Sequence, residues 1–450
     1  MSNQPRPTVA VVGAGLAGLG TAWRLSKQGF AVAVFERARG PGGRARSEKL
    51  DGFTLEAAGP LLSTGDRKLL TWIDEMGLRD ELLPLRPVVT THWSGGRTAS
   101  VDSRGLLGIA RIPGVRPLDA LRLVRLPRLA ARYGDRIDLE APERAADLDD
   151  RSIGDFGRLY FGRSVLAHWI EPFVTGESLG EADELSRVLF LRRHRARARE
   201  RLGVLRAALG EIAVAAAAGL TVRYGIEARR VAWRPDGGLS LTVGSRSAEQ
   251  VVEPDAVVLA TSAADAARLA APALVTAERD ALEAVRYQPA VSLAVALRRP
   301  FYPHTQQIQL AHVDGSPVEN VLLEPGMPGG RVPDGRGLAL LRATGPWSEA
   351  NFDAPDDSLS TELMGALERI VPRARSAVLF TKLFRVERFM PLFGVGHYRQ
   401  IARFEAVEQS LRREGRRLYL TGDYRMDPSL EGAVHSGWRT ATKVIADFAR

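Results

Sequence analysis

One segment near the N-terminus constrains this chain more than any other: Val9-Ala10-Val11-Val12-Gly13-Ala14-Gly15-Leu16-Ala17-Gly18. Thr8 to Val12 is a nearly unbroken apolar run, the pattern of a short buried strand. Gly13 permits a tight turn, Gly15 lets a ligand approach the backbone, and Gly18 lets the next helix pack closely on the strand. Leu16, Leu19 and Trp23 give that helix an apolar face, and Gly29 ends it. Ala31 to Phe35 is again apolar, as in a parallel strand buried on both faces. Glu36 follows at the strand's end, 18 residues past Gly18. Strand, glycine turn, helix, strand and terminal acid together predict a dinucleotide site. The helix N-terminus at Leu16 and Ala17 meets a diphosphate, and the carboxylate meets ribose hydroxyls. An acid at this place disfavours a 2′-phosphate.

Two further segments read as parts of the same site. Past Glu36 the chain runs through Arg37 to Gly42-Gly43-Arg44-Ala45-Arg46-Ser47. The glycines allow a close pass by a diphosphate, and Arg44 supplies positive charge. A short strand then leads to the Gly59-Pro60 turn, which suits a flat ring. Near the C-terminus, Leu418 to Thr421 reads as a strand ending in Gly422-Asp423. Ser429 is a good N-cap for a helix beginning Leu430-Glu431-Gly432-Ala433. Val434, Trp438, Ala441, Ile445 and Phe448 give that helix one apolar face.

A GxGxxG unit, an acid and a Gly-Gly-Arg-x-Arg-Ser loop resemble the flavin-containing amine oxidase superfamily. That superfamily includes monoamine oxidases, protoporphyrinogen oxidases and carotenoid desaturases. The resemblance implies an α/β fold: a Rossmann-like FAD-binding domain interrupted by an α+β substrate domain with a mixed sheet and helices. It implies non-covalent FAD, with Asp423 bonding a ribityl hydroxyl and residues 431–434 at the flavin's pyrimidine edge. It also places adenine against backbone near Val231, in the hairpin around Pro235-Asp236-Gly237-Gly238. The expected division is residues 1–85, 221–280 and 400–450 for the FAD domain. Residues 86–220 and 281–399 form the substrate domain, largely helical over 100–200.

Two stretches are similar to protoporphyrinogen oxidases segment by segment. One is Ser152 to Ser186, including Ile170-Glu171-Pro172-Phe173-Val174-Thr175-Gly176. The other is Phe389-Met390-Pro391-Leu392-Phe393 with Gly396-His397-Tyr398. The implied activity is desaturation of a bulky, largely apolar or carboxylate-bearing small molecule. Hydride passes to FAD, and oxygen or another acceptor reoxidises it. Carotenoid, terpenoid or secondary-metabolite desaturation is the alternative; a flavin-binding, membrane-associated protein without activity is the rival. Amine oxidases of the superfamily carry a lysine where this chain has Ser292, and an aromatic residue where it has Ser429. Both departures count against amine oxidation.

Composition narrows the rest. There are no cysteines, so thiolate metal sites and a cysteinyl flavin link are excluded. The net charge of +9 comes almost wholly from Arg, since only Lys27, Lys49, Lys68, Lys382 and Lys443 are lysines. This bias is as easily a coding preference as a function, and no nucleic-acid partner is expected. Eight Arg between 104 and 136, interleaved with Leu118, Leu121, Val124 and Leu129, form a basic amphipathic stretch. Such a stretch suits a solvated helix face or an anionic membrane. No apolar run approaches the roughly 18 residues of a membrane span, so the expected location is cytoplasmic, with peripheral membrane contact open. Arg192, Arg193, Arg195, Arg197, Arg199 and Arg201 read as an exposed loop or the basic rim of a carboxylate site. Arg97 is the candidate substrate anchor. His92, His168, His194, His397 and His435 are scattered, and no acid–base pair or metal-ligand spacing emerges.

Overall fold

The computed structural model describes residues 6–83, 86–87, 90–197, 201–245, 248–302, 305–326 and 330–449. Two sheets organise it. The first is fully parallel, with strands in the spatial order Thr221–Tyr224, Ala31–Glu36, Thr8–Val12, Ala256–Leu259 and Leu418–Leu420. Thr8–Val12 lies at its centre and is buried along nearly its whole length, which is why it carries valines without alternation. Asp255 fixes the start of that strand by accepting from the Thr8 amide at 2.7 Å and the Thr8 hydroxyl at 2.8 Å.

Three helices cover one face of this sheet: Leu16–Lys27, Leu209–Ala218 and Leu430–Phe448. The first and last cross closely at Gly437, where an added Cβ would lie 2.3 Å from the Ala17 carbonyl oxygen. The Thr21 hydroxyl donates to the Gly437 carbonyl at 3.0 Å. The chain's two ends are thereby joined. The opposite face carries the antiparallel strands Glu227–Trp233, Leu239–Gly244 and Glu249–Val252, with helices Ala263–Leu269 and Thr276–Glu283. Leu209, Ile212, Ala213 and Ala216 pack in the same core as Leu19 and Leu25. The expected boundary at 220 therefore falls after a helix that belongs to the parallel sheet's core.

The second sheet is mixed and has seven strands. Their order is Val378–Pro391, Tyr287–Leu297, Gly337–Ala343, Val318–Pro325, Gln307–Leu310, Thr90–Ser94 and Arg97–Val101. One pair, Gln307–Leu310 with Thr90–Ser94, is parallel; the others are antiparallel. Strand alternation splits its side chains between two faces. Val291, Leu293, Val321, Leu323 and Leu341 pack beneath the helix Asp356–Ile370. The other face is apolar at one end, where Ala294, Ala296, Leu338 and Leu340 meet Phe53 and Leu55. It is polar at the other end, where the register aligns Ser292 and Asn320 with Arg342. Short helices from Leu106 to Arg197 form a separate core around Phe156, Phe161, Trp169 and Phe190.

Candidate functional site

A single cavity of about 1630 Å³ runs between the two sheets. Its first part is built from backbone. Gly13 has φ of 102° and donates its amide to Phe35 at 2.9 Å, turning the chain off the central strand. A Cβ on Gly18 would lie 2.0 Å from the Gly13 oxygen, so the helix packs on the turn only with glycine there. By contrast, a Cβ on Gly15 would meet nothing within 4 Å: it would project into the cavity. Gly15 caps the helix without a side-chain partner, which leaves the amides of the first turn for a ligand. The second glycine loop lies against the first, with the Gly42 amide donating to Ala14 at 2.8 Å and Gly43 packed over Gly15.

The charged groups of this part are held firmly. Glu36 accepts from the Ala14 and Ala38 amides, each at 2.8 Å. Arg44 forms a two-pronged pair with Asp423 at 2.7 and 2.9 Å and donates to the Phe389 carbonyl at 2.7 Å. At the C-terminal helix, the Ser429 hydroxyl accepts from the Gly432 amide at 3.0 Å, the expected cap. Glu431 turns away to another helix: it accepts from the Lys68 and Leu69 amides at 2.9 and 2.8 Å, capping Arg67–Glu75. Burial raises the Glu431 pKa, and those amides partly oppose the shift. His435 also lines the cavity, 3.4 Å from Glu140. Burial holds its pKa down to about 4, against the opposing pull of Glu140.

The second part of the cavity is walled by the polar end of the seven-stranded sheet. Gln307, Asn320, Leu322 and Arg342 line it, with Ala58 and Gly59 beside them. Asn320 donates to the Gly176 carbonyl at 2.7 Å. Arg342 donates to that same carbonyl at 3.2 Å and to the carbonyl of Ala58. Burial lowers its pKa to about 10. Among the described residues it forms no ion pair, and its Nε and the Asn320 Oδ1 have no hydrogen-bond partner.

Most of the residues singled out from the sequence converge on the cavity. Gly13, Gly15, Leu16, Ala17, Glu36 and Arg37 line one end. Gly42, Gly43, Arg44, Gly59, Gly422 and Asp423 follow, and Leu430, Glu431, Gly432 and Ala433 close it. Four stand apart. Gly18 is packed under the turn. Pro60 faces a small separate gap beside Glu56 and Arg331. Val231 is fully buried in the core, and Ala228 lines the cavity instead. The strand carries a bulge between Ala228 and Arg230, which brings Ala228 and Val231 to the same buried side. Arg97 is exposed at the start of the sheet's edge strand and is not among the residues lining the cavity.

Of the arginine cluster, Arg192, Arg193 and Arg195 line the cavity. Arg201 begins the strand Arg201–Val204 and is exposed. The Arg197 side chain and Arg199 lie outside the described residues. The wall residues Gln307, Asn320 and Arg342 were not anticipated. One signal was present: Arg342 interrupts the otherwise apolar run Gly337-Leu-Ala-Leu-Leu-Arg342-Ala343.

The glycine cradle, the tethered acid and the open helix N-terminus suit a dinucleotide. The comparisons agree. Residues 16–445 match the family described as flavin containing amine oxidoreductase. The chain is 26% identical to a coproporphyrinogen III oxidase of Propionibacterium freudenreichii subsp. freudenreichii, over 88% of this chain and 83% of that protein. It is 30% identical to a carotenoid phi-ring synthase of Streptomyces griseus, over 87% of this chain and 79% of that one. A protoporphyrinogen oxidase 2 of Arabidopsis thaliana is 27% identical over 40% of this chain, a match spanning about a third (34%) of that protein. In fold, cyclohexylamine oxidase of Brevibacterium oxydans IH-35A superposes with a TM-score of 0.77 at 16% identity, over 99% of this chain and 100% of that one.

Proposed function

This chain belongs to the flavin containing amine oxidoreductase family, and from that premise we propose an FAD-dependent oxidoreductase of protoporphyrinogen-oxidase type that desaturates a bulky, largely apolar small molecule. The observation that carries the reading is one continuous cavity of about 1630 Å³ joining the glycine cradle to the wall of the seven-stranded sheet. A protein that only stored a cofactor has no use for that second half. The relation to a coproporphyrinogen III oxidase over most of both chains supports the substrate class.

The residues that would hold FAD are the Gly13–Ala17 turn, Glu36, Gly42 to Arg44, Asp423 and the amides at Gly432 and Ala433. Bound there without a covalent link, FAD supplies a two-electron oxidant that oxygen or another acceptor restores. The protein's own part is position and electrostatics. Helix amides at Leu16 and Ala17 meet the diphosphate, and Glu36 keeps lone pairs for ribose hydroxyls. Glu431 locks the helix start at Leu430 onto the neighbouring helix, so its remaining amides are fixed in place before a ligand arrives. The inner face of the seven-stranded sheet screens the reacting bond from water. We assign residues 1–85, 221–280 and 400–450 to the cofactor unit, with the helix Leu209–Ala218 added to it, and 86–208 with 281–399 to the substrate unit.

Ser292 and Ser429 stand where the superfamily's amine oxidases carry a lysine and an aromatic wall, which speaks against an amine substrate. The carotenoid phi-ring synthase relation favours a polyene or terpenoid as the second reading. Among the described residues no helix is long and apolar enough to cross a membrane. Leu118, Leu121 and Val124 are exposed among Arg116, Arg122 and Arg125, which supports peripheral contact with an anionic membrane. The test is anaerobic mixing of the purified yellow protein with protoporphyrinogen and with coproporphyrinogen. We expect the flavin's visible band to bleach with at least one; a flavin left oxidised by both removes the porphyrinogen reading.

A further inference from the structure

We propose that Arg342 anchors a carboxylate on the substrate. This rests on the reading that the cavity is where a small molecule is oxidised.

The charged side chains around the cavity are not alike. Arg44 is matched by Asp423, and Arg193 by Glu177 at 2.5 Å. Arg192 is spent on three backbone carbonyls, those of Asp138, Leu139 and Met426. Of the sheet's cavity-lining cations, Arg385 is paired with Asp356 and Arg388 with Asp265, whereas Arg342 is 9% exposed and has no carboxylate partner among the described residues. A buried guanidinium with no counter-charge is costly, and an anion supplied from outside removes that cost.

The site is also built. Two carbonyls from separate elements, Ala58 and Gly176, orient the guanidinium without neutralising it. Gly59 has φ of +83°, and a Cβ there would lie 2.9 Å from Arg342 Nη2 and 2.6 Å from Leu322. The turn therefore passes under the guanidinium only as glycine. Arg342 Nε is buried without a hydrogen-bond partner, so the guanidinium keeps donor capacity beyond the two carbonyls it already meets. Leu322 and Phe384 supply apolar surface nearby. A fork of N–H donors on an apolar wall fits a flat or greasy molecule that ends in a carboxylate. The cofactor's own anionic part is accounted for by the glycine loops on the parallel-sheet side.

The experiment uses flavin-loaded protein and two probes of one shape, 2-naphthoate and methyl 2-naphthoate, read by perturbation of the flavin spectrum. We expect the wild type to bind the acid about 10- to 100-fold more tightly than the ester, the range of one charge-assisted contact. Arg342→Gln should abolish that preference, and Arg342→Lys should keep part of it because it retains charge but loses the fork. Flavin content and melting temperature check the folding of both variants. If Arg342→Gln does not fold, the wild-type preference and the Arg342→Lys value decide. Equal behaviour of acid and ester in the wild type, whether both bind or neither does, overturns the inference. So does a preference that survives in Arg342→Gln. A protein that bleaches with protoporphyrinogen yet ignores the acid keeps the proposed function and loses the anchor. The converse result loses only the porphyrinogen.

Discussion

The two halves of the cavity are made of different material. The cradle end is backbone brought to contact distance, with three of its charges already answered: Glu36 by two amides, Arg44 by Asp423, Glu431 by the helix at Arg67. The wall end is side chains with unspent hydrogen-bonding capacity, Arg342 and Asn320 above all. Backbone that must approach closely tolerates no Cβ; a side-chain wall tolerates exchange but sets what it can hold. The first half should therefore govern folding and cofactor retention, and the second should govern choice of ligand.

The strongest way to break that division is at the glycines. A Cβ at Gly18 meets the Gly13 carbonyl at 2.0 Å, and backbone on both sides has nowhere to go. Gly18→Ala should cost about 3 kcal/mol or more. Gly15→Ala meets nothing within 4 Å and has an ordinary φ of −78°, so its stability should stay within about 0.5 kcal/mol of wild type. It should nevertheless purify with less flavin, because its Cβ occupies ligand space. Urea melts and flavin-to-protein ratios of the two variants check this. Equal stabilities for the pair would contradict the packing argument.

The same distinction explains what could be read from the sequence. The cradle was legible because its geometry demands one residue type at fixed spacings: Gly13, Gly15, Gly18, Gly42 and Gly43 announce themselves. The cap at Ser429 was legible for the same reason. The wall was not, because it is made by strand register. Ser292, Asn320 and Arg342 become neighbours only when three strands pair, and nothing local encodes that alignment. Val231 shows the limit sharply. The strand was placed correctly, but its start, through Ala228, lines the cavity while Val231 lies in the core. Arg97 lies away from the cavity for a related reason, since a strand's place at the sheet edge is invisible in its own residues.

Acid should separate the halves next. His435 belongs to the cradle end and is held neutral by burial, its pKa lowered from 6.5 to about 4. A group whose pKa falls on folding contributes stability that is full above pH 6.5 and is lost as pH drops toward 4. At about 1.4 kcal/mol per unit, that window carries roughly 2–3 kcal/mol. Gln307, Asn320 and Arg342 do not titrate there. Stability should thus fall from pH 6.5 to 4 in the wild type, and fall less in His435→Gln. The naphthoate preference should follow only the probe's own ionisation. An unchanged acid limb in His435→Gln would remove this residue from the account.

The finest comparison sets one cation against the other. Asp423→Asn leaves Arg44 beside a neutral amide. Breaking a fully buried pair costs about 3–5 kcal/mol. The Arg44 side chain keeps 35% exposure, so solvent recovers part of that. A loss near 2 kcal/mol is expected. Arg342→Met breaks no ion pair, and the Gly176 carbonyl that it abandons still accepts from Asn320. The removal of an unanswered charge offsets the loss of the Ala58 contact. Its stability should lie within about 1 kcal/mol of wild type, measured by urea unfolding at one flavin concentration. If Arg342→Met unfolded as readily as Asp423→Asn, the guanidinium would be a structural strut like Arg44. The wall would then have no cation left over for a substrate.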